Sequence, residues 1–193
     1  MAEDERKERI VEALADYIKT EKINGVVYDM SPANTKHIII QGNLSRIIGN
    51  FLRGKQCKVF SEIGVHFDDD NYFIPDVTVV CDRSKITEQG IKGTPDFVAE
   101  VLSFSTHRKD ITVKKQVYEK FGVKEYWIIS PKDETIEVYL WQNGKYELGG
   151  VYHNATEEDM KYMTDREKAE INLSLKLSLY DDLEIQVKDI FEI

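Results

Sequence analysis

The sequence predicts a mixed-sheet α/β (α+β) core in one domain over residues 1–193. Three observations lead there. Helical and strand-like patterns follow one another in the order α-β-α-β-β-β-α-β-β-β before a β-rich tail, an arrangement of helices packed on a sheet. The runs DVTVV (76–80) and FVAEVL (97–102) are short and mostly apolar, as strands buried on both faces are. Residues 135–152 read as two strands around Asn143-Gly144, the usual signal of a tight hairpin.

The elements follow in order. Ile10, Leu14, Tyr17 and Ile18 fall on one stripe of a helix over 4–19, and the N-terminal segment 1–22 is assigned to it. GVVYDM (25–30) reads as a strand, and Ser31-Pro32 as a turn. Ile40, Leu44, Ile47, Ile48 and Phe51 give helical spacing from about Thr35 to Arg53, with Gly54 as the stop. Residues 56–67 suggest a strand or two, DDDN (68–71) a turn, and YFIPDVTVVCD (72–82) one strand carrying Asp76. A polar loop occupies 83–95. A strand over 96–103 carries Glu100. A helix from about Lys109 ends at Gly122, and KEYWIIS (124–130) is the next strand. Residues 157–170 are weakly helical, LSLKLSLY (173–180) alternates with period two, and LEIQV (183–187) pairs back across Asp181-Asp182. The core is assigned to 24–150 and a β-rich extension to 157–193.

Composition narrows the function classes. The net charge of −9 argues against a generic polyanion binder. The charge is uneven: residues 103–124 carry a local +4, and residues 157–193 a local −6. One basic face on an acidic body is compatible with nucleic acid, and equally with a solvated helix face. The N-terminus MAEDERKERI is too charged for a signal peptide, and no apolar run approaches the roughly 20 residues of a membrane span. Cys57 and Cys81 show no metal spacing, so the reading is a cytoplasmic protein with reduced cysteines; His37, His66, His107 and His153 are scattered, and a zinc site cannot be read from them.

The chemistry-bearing residues are Asp76, Glu100 and Lys114. A carboxylate within an apolar strand is costly unless something pairs with it. Two carboxylates and a lysine are what a Mg²⁺-dependent phosphodiesterase needs: oxygen ligands for the metal and a cation for developing charge. Asp110, Lys114 and Tyr118 are spaced i, i+4, i+8 along one helix face. Taken alone, Asp110 and Lys114 make a surface ion pair worth a few tenths of a kcal/mol; with two acids upstream, the functional reading of Lys114 prevails. Ser103, Ser105 and Thr106 are placed to cap the turn before this helix or to meet a phosphate. Tyr126 and Trp127 read as packing residues.

Three blocks together carry a family resemblance: VVYDMSPANTKHIIIQGNLSRIIGNFL (26–52), FIPDVTVVCD (73–82) and FVAEVLSFSTHRKDITVKKQVYEKFGVKEYWIISP (97–131). They resemble the Uma family of restriction-endonuclease-like proteins, within the wider PD-(D/E)XK nuclease fold. The resemblance covers roughly residues 24–150, and DLEIQVKDIF resembles the family's closing strand. It implies a restriction-endonuclease-like mixed central β-sheet flanked by helices, with extra hairpins. By this resemblance Asp76 matches the acid of the PD motif, Glu100 the second acid, and Lys114 a lysine moved to the following helix. In the wider fold that lysine comes two residues after the acid, where this chain has Leu102. Asp110 and Tyr118 match further motif positions, His37 a recurring histidine on the first core helix, and Glu62 a possible extra acid. Phe104 stands where many relatives carry proline.

The function implied is Mg²⁺- (or Mn²⁺-) dependent endonuclease hydrolysis of DNA, with Asp76, Glu100 and the Val101 carbonyl as metal ligands and Lys114 at the reacting phosphate. The alternative is a non-catalytic nucleic-acid-binding or protein-interaction module that keeps the fold; an RNA or small-molecule phosphodiesterase stays open. Cutting two strands suggests a homodimer, with the 4–19 helix and the 171–191 tail as candidate interfaces.

Overall fold

The computed structural model describes residues 19–103 and 109–193. The helix expected over 4–19 therefore lies almost wholly outside the described residues. Thr20–Ile23 is a strand (β1), which corrects the assignment of residues up to 22 to a helical segment. The cause is local. Asn24 and Gly25 both take positive φ, 48° and 82°, and fold β1 back on Val26–Asp29 (β2) as a tight hairpin.

The first long helix is Thr35–Phe51 (α1), capped by the Asn34 side chain on the His37 N–H. Three short strands follow: Lys58–Ser61 (β3), Val65–Asp68 (β4) and Asn71–Phe73 (β5). The next strand is Val77–Val80 (β6). The single strand expected over 72–82 is thus two, β5 and β6, lying in different sheets. Pro75 lacks an N–H to donate, so the ladder breaks at Ile74-Pro75-Asp76 and the chain crosses between sheets there. The expected polar loop over 83–95 also holds more structure: a 3₁₀ turn at Arg83–Lys85 and the small strands Ile86–Thr87 (β7) and Gly90–Lys92 (β8).

Phe97–Val101 (β9) is buried throughout. The helix after it begins as a π-wound stretch, Lys109–Lys114, and continues as Lys115–Phe121 (α2), closed by Gly122 at φ 72°. Glu125–Ser130 (β10) follows, then the hairpin Thr135–Gln142 (β11) and Lys145–His153 (β12), turned by Asn143 and Gly144 at positive φ. The segment read as a β-rich extension is mixed. It contains the helices Glu157–Tyr162 (α3), Asp165–Glu170 (α4) and Val187–Phe191 (α5), and a hairpin of two three-residue strands, Ser174–Lys176 (β13) and Glu184–Gln186 (β14). The segment likened to a closing strand therefore ends as helix α5.

The central sheet has the order β12-β11-β10-β9-β6-β3, antiparallel except where β9 and β10 run parallel. The parallel step is made by the crossover that contains α2. One face of this sheet buries Val77, Val79, Trp127 and Ile129 against α1, α5 and the β13–β14 hairpin. The other face buries Val98 and Ile128 against Val117 and Tyr118 of α2 and against Ile23 and Phe73 of a second sheet, ordered β2-β1-β5-β4-β8-β7. Each apolar side chain so buried contributes about 1.5–3 kcal/mol.

The β3–β6 register sets Lys58 opposite Val80, which brings Cys57 and Cys81 side by side, and they are joined as a disulfide. This overturns the expectation of two reduced cysteines, for which sequence spacing gave no pairing signal. Among the described residues no helix is long and apolar enough to cross a membrane.

Candidate active site

The site lies at the break before β6. On α1 the buried residues are His37, Ile40, Gln41, Leu44 and Ile48, a single 3.6-residue stripe. Its C-terminal members are apolar and sit in the core. Its two polar members, His37 and Gln41, lie in the N-terminal half of the helix and reach Asp76. His37 Nε2 meets Asp76 Oδ1 at 2.9 Å, and Gln41 Nε2 donates to the Asp76 carbonyl at 3.0 Å. The other carboxylate oxygen, Oδ2, accepts the Val101 N–H at 2.6 Å. Asp76 is therefore held from the helix on one side and from β9 on the other. The β6–β9 register pairs Val77 with Ala99. Carried one residue further, it sets Asp76 across from Glu100, where opposed side chains share a face.

Glu100 is 3% exposed and lies one residue before the end of β9. Its Oε1 accepts from Lys114 Nζ at 3.1 Å and from the Tyr118 hydroxyl at 2.7 Å. Lys114 and Tyr118 are four residues apart, one helical turn, so both act from one face. Burial and the adjacent Glu100 charge push the Tyr118 hydroxyl well above its usual pKa, which keeps it a neutral donor. Lys114 has a second carboxylate partner: its Nζ lies 2.9 Å from Oε1 of Glu21 on β1. That same Glu21 oxygen accepts the Ile74 N–H at 3.0 Å.

Beside these groups is a cavity of about 380 Å³ whose walls include His37, Asp76, Glu100, Val101, Ser103 and Lys114. Glu62 lines it too, in an ion pair with Lys19 and with a positive φ of 49°. Asp76, Glu100, Lys114, Val101, His37, Glu62 and Ser103 thus share one cavity, and Tyr118 stands behind Glu100. Ser105 and the Asp110 side chain lie outside the described residues. Two members were not anticipated from sequence. Gln41 is the next polar residue on the His37 stripe and is findable by helical spacing. Glu21 becomes visible once Asn24-Gly25 is read as a hairpin turn, because inward-facing Ile23 then puts Glu21 on the same face.

The donor set suits a hard divalent cation. Asp76 and Glu100 offer carboxylate oxygens, and Asp76 Oδ2 accepts the Val101 N–H, so that the carbonyl of the same residue, Val101, would be a third donor. Among the described residues no cluster of three or more His, Cys, Asp or Glu converges on one point. Two carboxylates are what Mg²⁺ ordinarily takes from a protein, the remaining positions going to water and phosphate oxygens.

A mixed sheet flanked by helices, with one acid at a strand break, a second on the neighbouring strand and a lysine over it, defines the restriction-endonuclease-like fold. A solved structure supports that class: the crystal structure titled as a "putative nuclease belonging to DUF820" from Anabaena variabilis ATCC 29413 has a TM-score of 0.70, with 22% identity over 91% of this chain and 90% of that one. The family model Uma2, described as "Putative restriction endonuclease", matches residues 9–174, and the chain belongs to that family. Two proteins of Synechocystis sp. (strain PCC 6803), named "Uncharacterized protein slr1290" and "Uncharacterized protein sll1609", are similar at 32% and 29% identity. Each alignment spans 63% of this chain, and 65% and 71% respectively of those relatives.

Proposed function

We propose that this chain hydrolyses DNA phosphodiester bonds with a divalent cation held by Asp76, Glu100 and the Val101 carbonyl. The observation that carries the reading is the buried Lys114 ammonium on Glu100 at the wall of the cavity that Asp76 also lines. Bound there, Mg²⁺ or Mn²⁺ would polarise a non-bridging phosphate oxygen and lower the pKa of a coordinated water. Lys114 supplies positive charge where the attacked phosphorus gathers negative charge. His37 and the Val101 N–H hold the Asp76 carboxylate in one orientation. Tyr118 does the same for Glu100. The attacking water gives up a proton to solvent as it forms the new P–O bond; the bond to the leaving sugar oxygen breaks with its electron pair on that oxygen, which takes a proton from solvent.

Cleavage of both strands calls for two such sites, which a homodimer provides. A second reading, a binding module that retains the fold, draws on one observation: both Asp76 oxygens and Glu100 Oε1 already have protein partners. The two readings separate in a supercoiled-plasmid nicking assay with Mg²⁺ or Mn²⁺. Cation-dependent nicking by the wild type that falls at least about 100-fold in Glu100→Gln is the outcome for an enzyme. Tight plasmid binding without nicking in a folded wild type supports the binding module.

A further inference from the structure

We infer that Glu21 is a positioning residue for Lys114: it fixes the ammonium beside Glu100 and couples it to the chain segment that carries Asp76. The inference rests on the phosphodiesterase reading for its catalytic consequence, and on geometry alone for the coupling.

Glu21 is a buried carboxylate on a strand of the second sheet, outside the set Asp76, Glu100 and Lys114. One oxygen, Oε1, takes two donors: Lys114 Nζ at 2.9 Å and the Ile74 N–H at 3.0 Å. Ile74 is two residues before Asp76, in the break between β5 and β6. The carboxylate therefore ties three parts of the chain together: β1, the Asp76 segment and the π-wound start of the α2 helix. Lys114 needs such a tie. Its ammonium sits on a four-carbon stem with three rotatable donors. It leaves a π-wound stretch and lies over a 3%-exposed carboxylate. One carboxylate leaves the stem free to swing about a single contact, while two opposed carboxylates define a position.

The arrangement has a chemical consequence. Glu100 serves both as the ammonium's partner and as a cation ligand in the proposed reaction. A second carboxylate keeps Lys114 in place while Glu100 turns to that other task. A misplacement of about 1 Å in such a group costs on the order of 100-fold in rate. Glu21 acts through Lys114 and is not itself placed on the reacting phosphate.

The test is Glu21→Gln, which keeps the acceptor for the Ile74 N–H and removes the charge. Glu21→Asp, which keeps the charge but shortens the reach, is a second variant should the first fail to fold. Lys114 reactivity toward acetic anhydride, read by mass spectrometry against all other lysines, reports position without any need for activity. In folded Glu21→Gln we expect Lys114 labelling to rise about tenfold with the other lysines unchanged, and an intermediate rise in Glu21→Asp. Steady-state nicking should show kcat down on the order of 10- to 100-fold with KM and Mg²⁺ affinity held. Adding Lys114→Met should remove any further effect of Glu21→Gln on kcat, because residues acting as a unit are not additive. Unchanged Lys114 labelling in folded variants overturns the inference, and so does a kcat loss that persists in the Lys114→Met background. If the wild type does not nick, the phosphodiesterase reading fails alone, and the labelling result still decides whether Glu21 positions Lys114.

Discussion

Two buried glutamates on neighbouring strands of the central sheet are handled in opposite ways. Glu100, near the end of β9, is matched with a buried ammonium and a tyrosine hydroxyl and faces a cavity. Glu125, at the start of the parallel strand β10, is fully buried, and its partners among the described residues are neutral: Trp127 Nε1 at 2.6 Å, the Ser178 N–H at 2.8 Å and the Ser178 hydroxyl at 2.5 Å. Those contacts fasten the C-terminal segment to the sheet. Burial raises the Glu125 pKa, against the lowering effect of its hydrogen bonds. A carboxylate that only joins two pieces of chain works with neutral donors. The carboxylate beside the cavity, Glu100, is given a counter-ion.

The contrast can be broken most sharply at Lys114. Lys114→Met leaves Glu21 and Glu100 buried without their cation, so stability should fall by about 3–5 kcal/mol in urea unfolding. A loss under about 1 kcal/mol would mean that the pair is not held as a buried ion pair.

At Glu125 the expected change is smaller and depends on pH. The folded state holds its proton more tightly than the unfolded chain, whose carboxyl titrates near 4.5. The favourable term is present below that value and is lost as pH rises through the raised folded pKa. Glu125→Gln lacks this loss, so its stability relative to wild type should improve as pH rises above about 4.5 and level off once the raised folded pKa is passed. A difference that stays flat across that range would contradict the assigned burial effect.

The smallest effect belongs to the exposed rim. Lys36 and Glu134 pair at 2.7 Å with roughly a third of each side chain open to solvent. The Lys36 and Asn154 contacts lower the Glu134 pKa. Its stabilising term is therefore present above the unfolded value and disappears as pH falls through the lowered folded one. Glu134→Gln should cost about 0.2–1 kcal/mol near neutral pH and nothing once pH lies below the lowered folded pKa.

The parts of this fold that were legible in sequence are those set by local signals. Helix α1 shows its apolar stripe and its terminal glycine, the β11–β12 hairpin its Asn-Gly turn, and β9 and β10 their buried apolar runs. Asp76 and Glu100 stood out because charge in an apolar run needs a partner, Lys114 because it follows those two acids on a helix, and the structure puts all three on one cavity. What stayed hidden depends on long-range pairing. Glu21 meets Lys114 only because β1 joins β5. Cys57 meets Cys81 only through the β3–β6 register. The break at Pro75 separates two sheets, although 72–82 reads as one continuous strand. The winding of 109–114 as a π-helix follows from no spacing rule, yet it sets where Lys114 points.

The central claim is that Asp76 and Glu100 form a cation site that serves phosphodiester hydrolysis. Its most direct test is a Mg²⁺ and Mn²⁺ calorimetric titration of the wild type and of Asp76→Asn, with plasmid nicking measured on the same samples. The account predicts cation binding and nicking in the wild type, with both lost in an Asp76→Asn protein that melts as a folded chain. Nicking that survives in Asp76→Asn, or a folded wild type that binds neither cation, would contradict it.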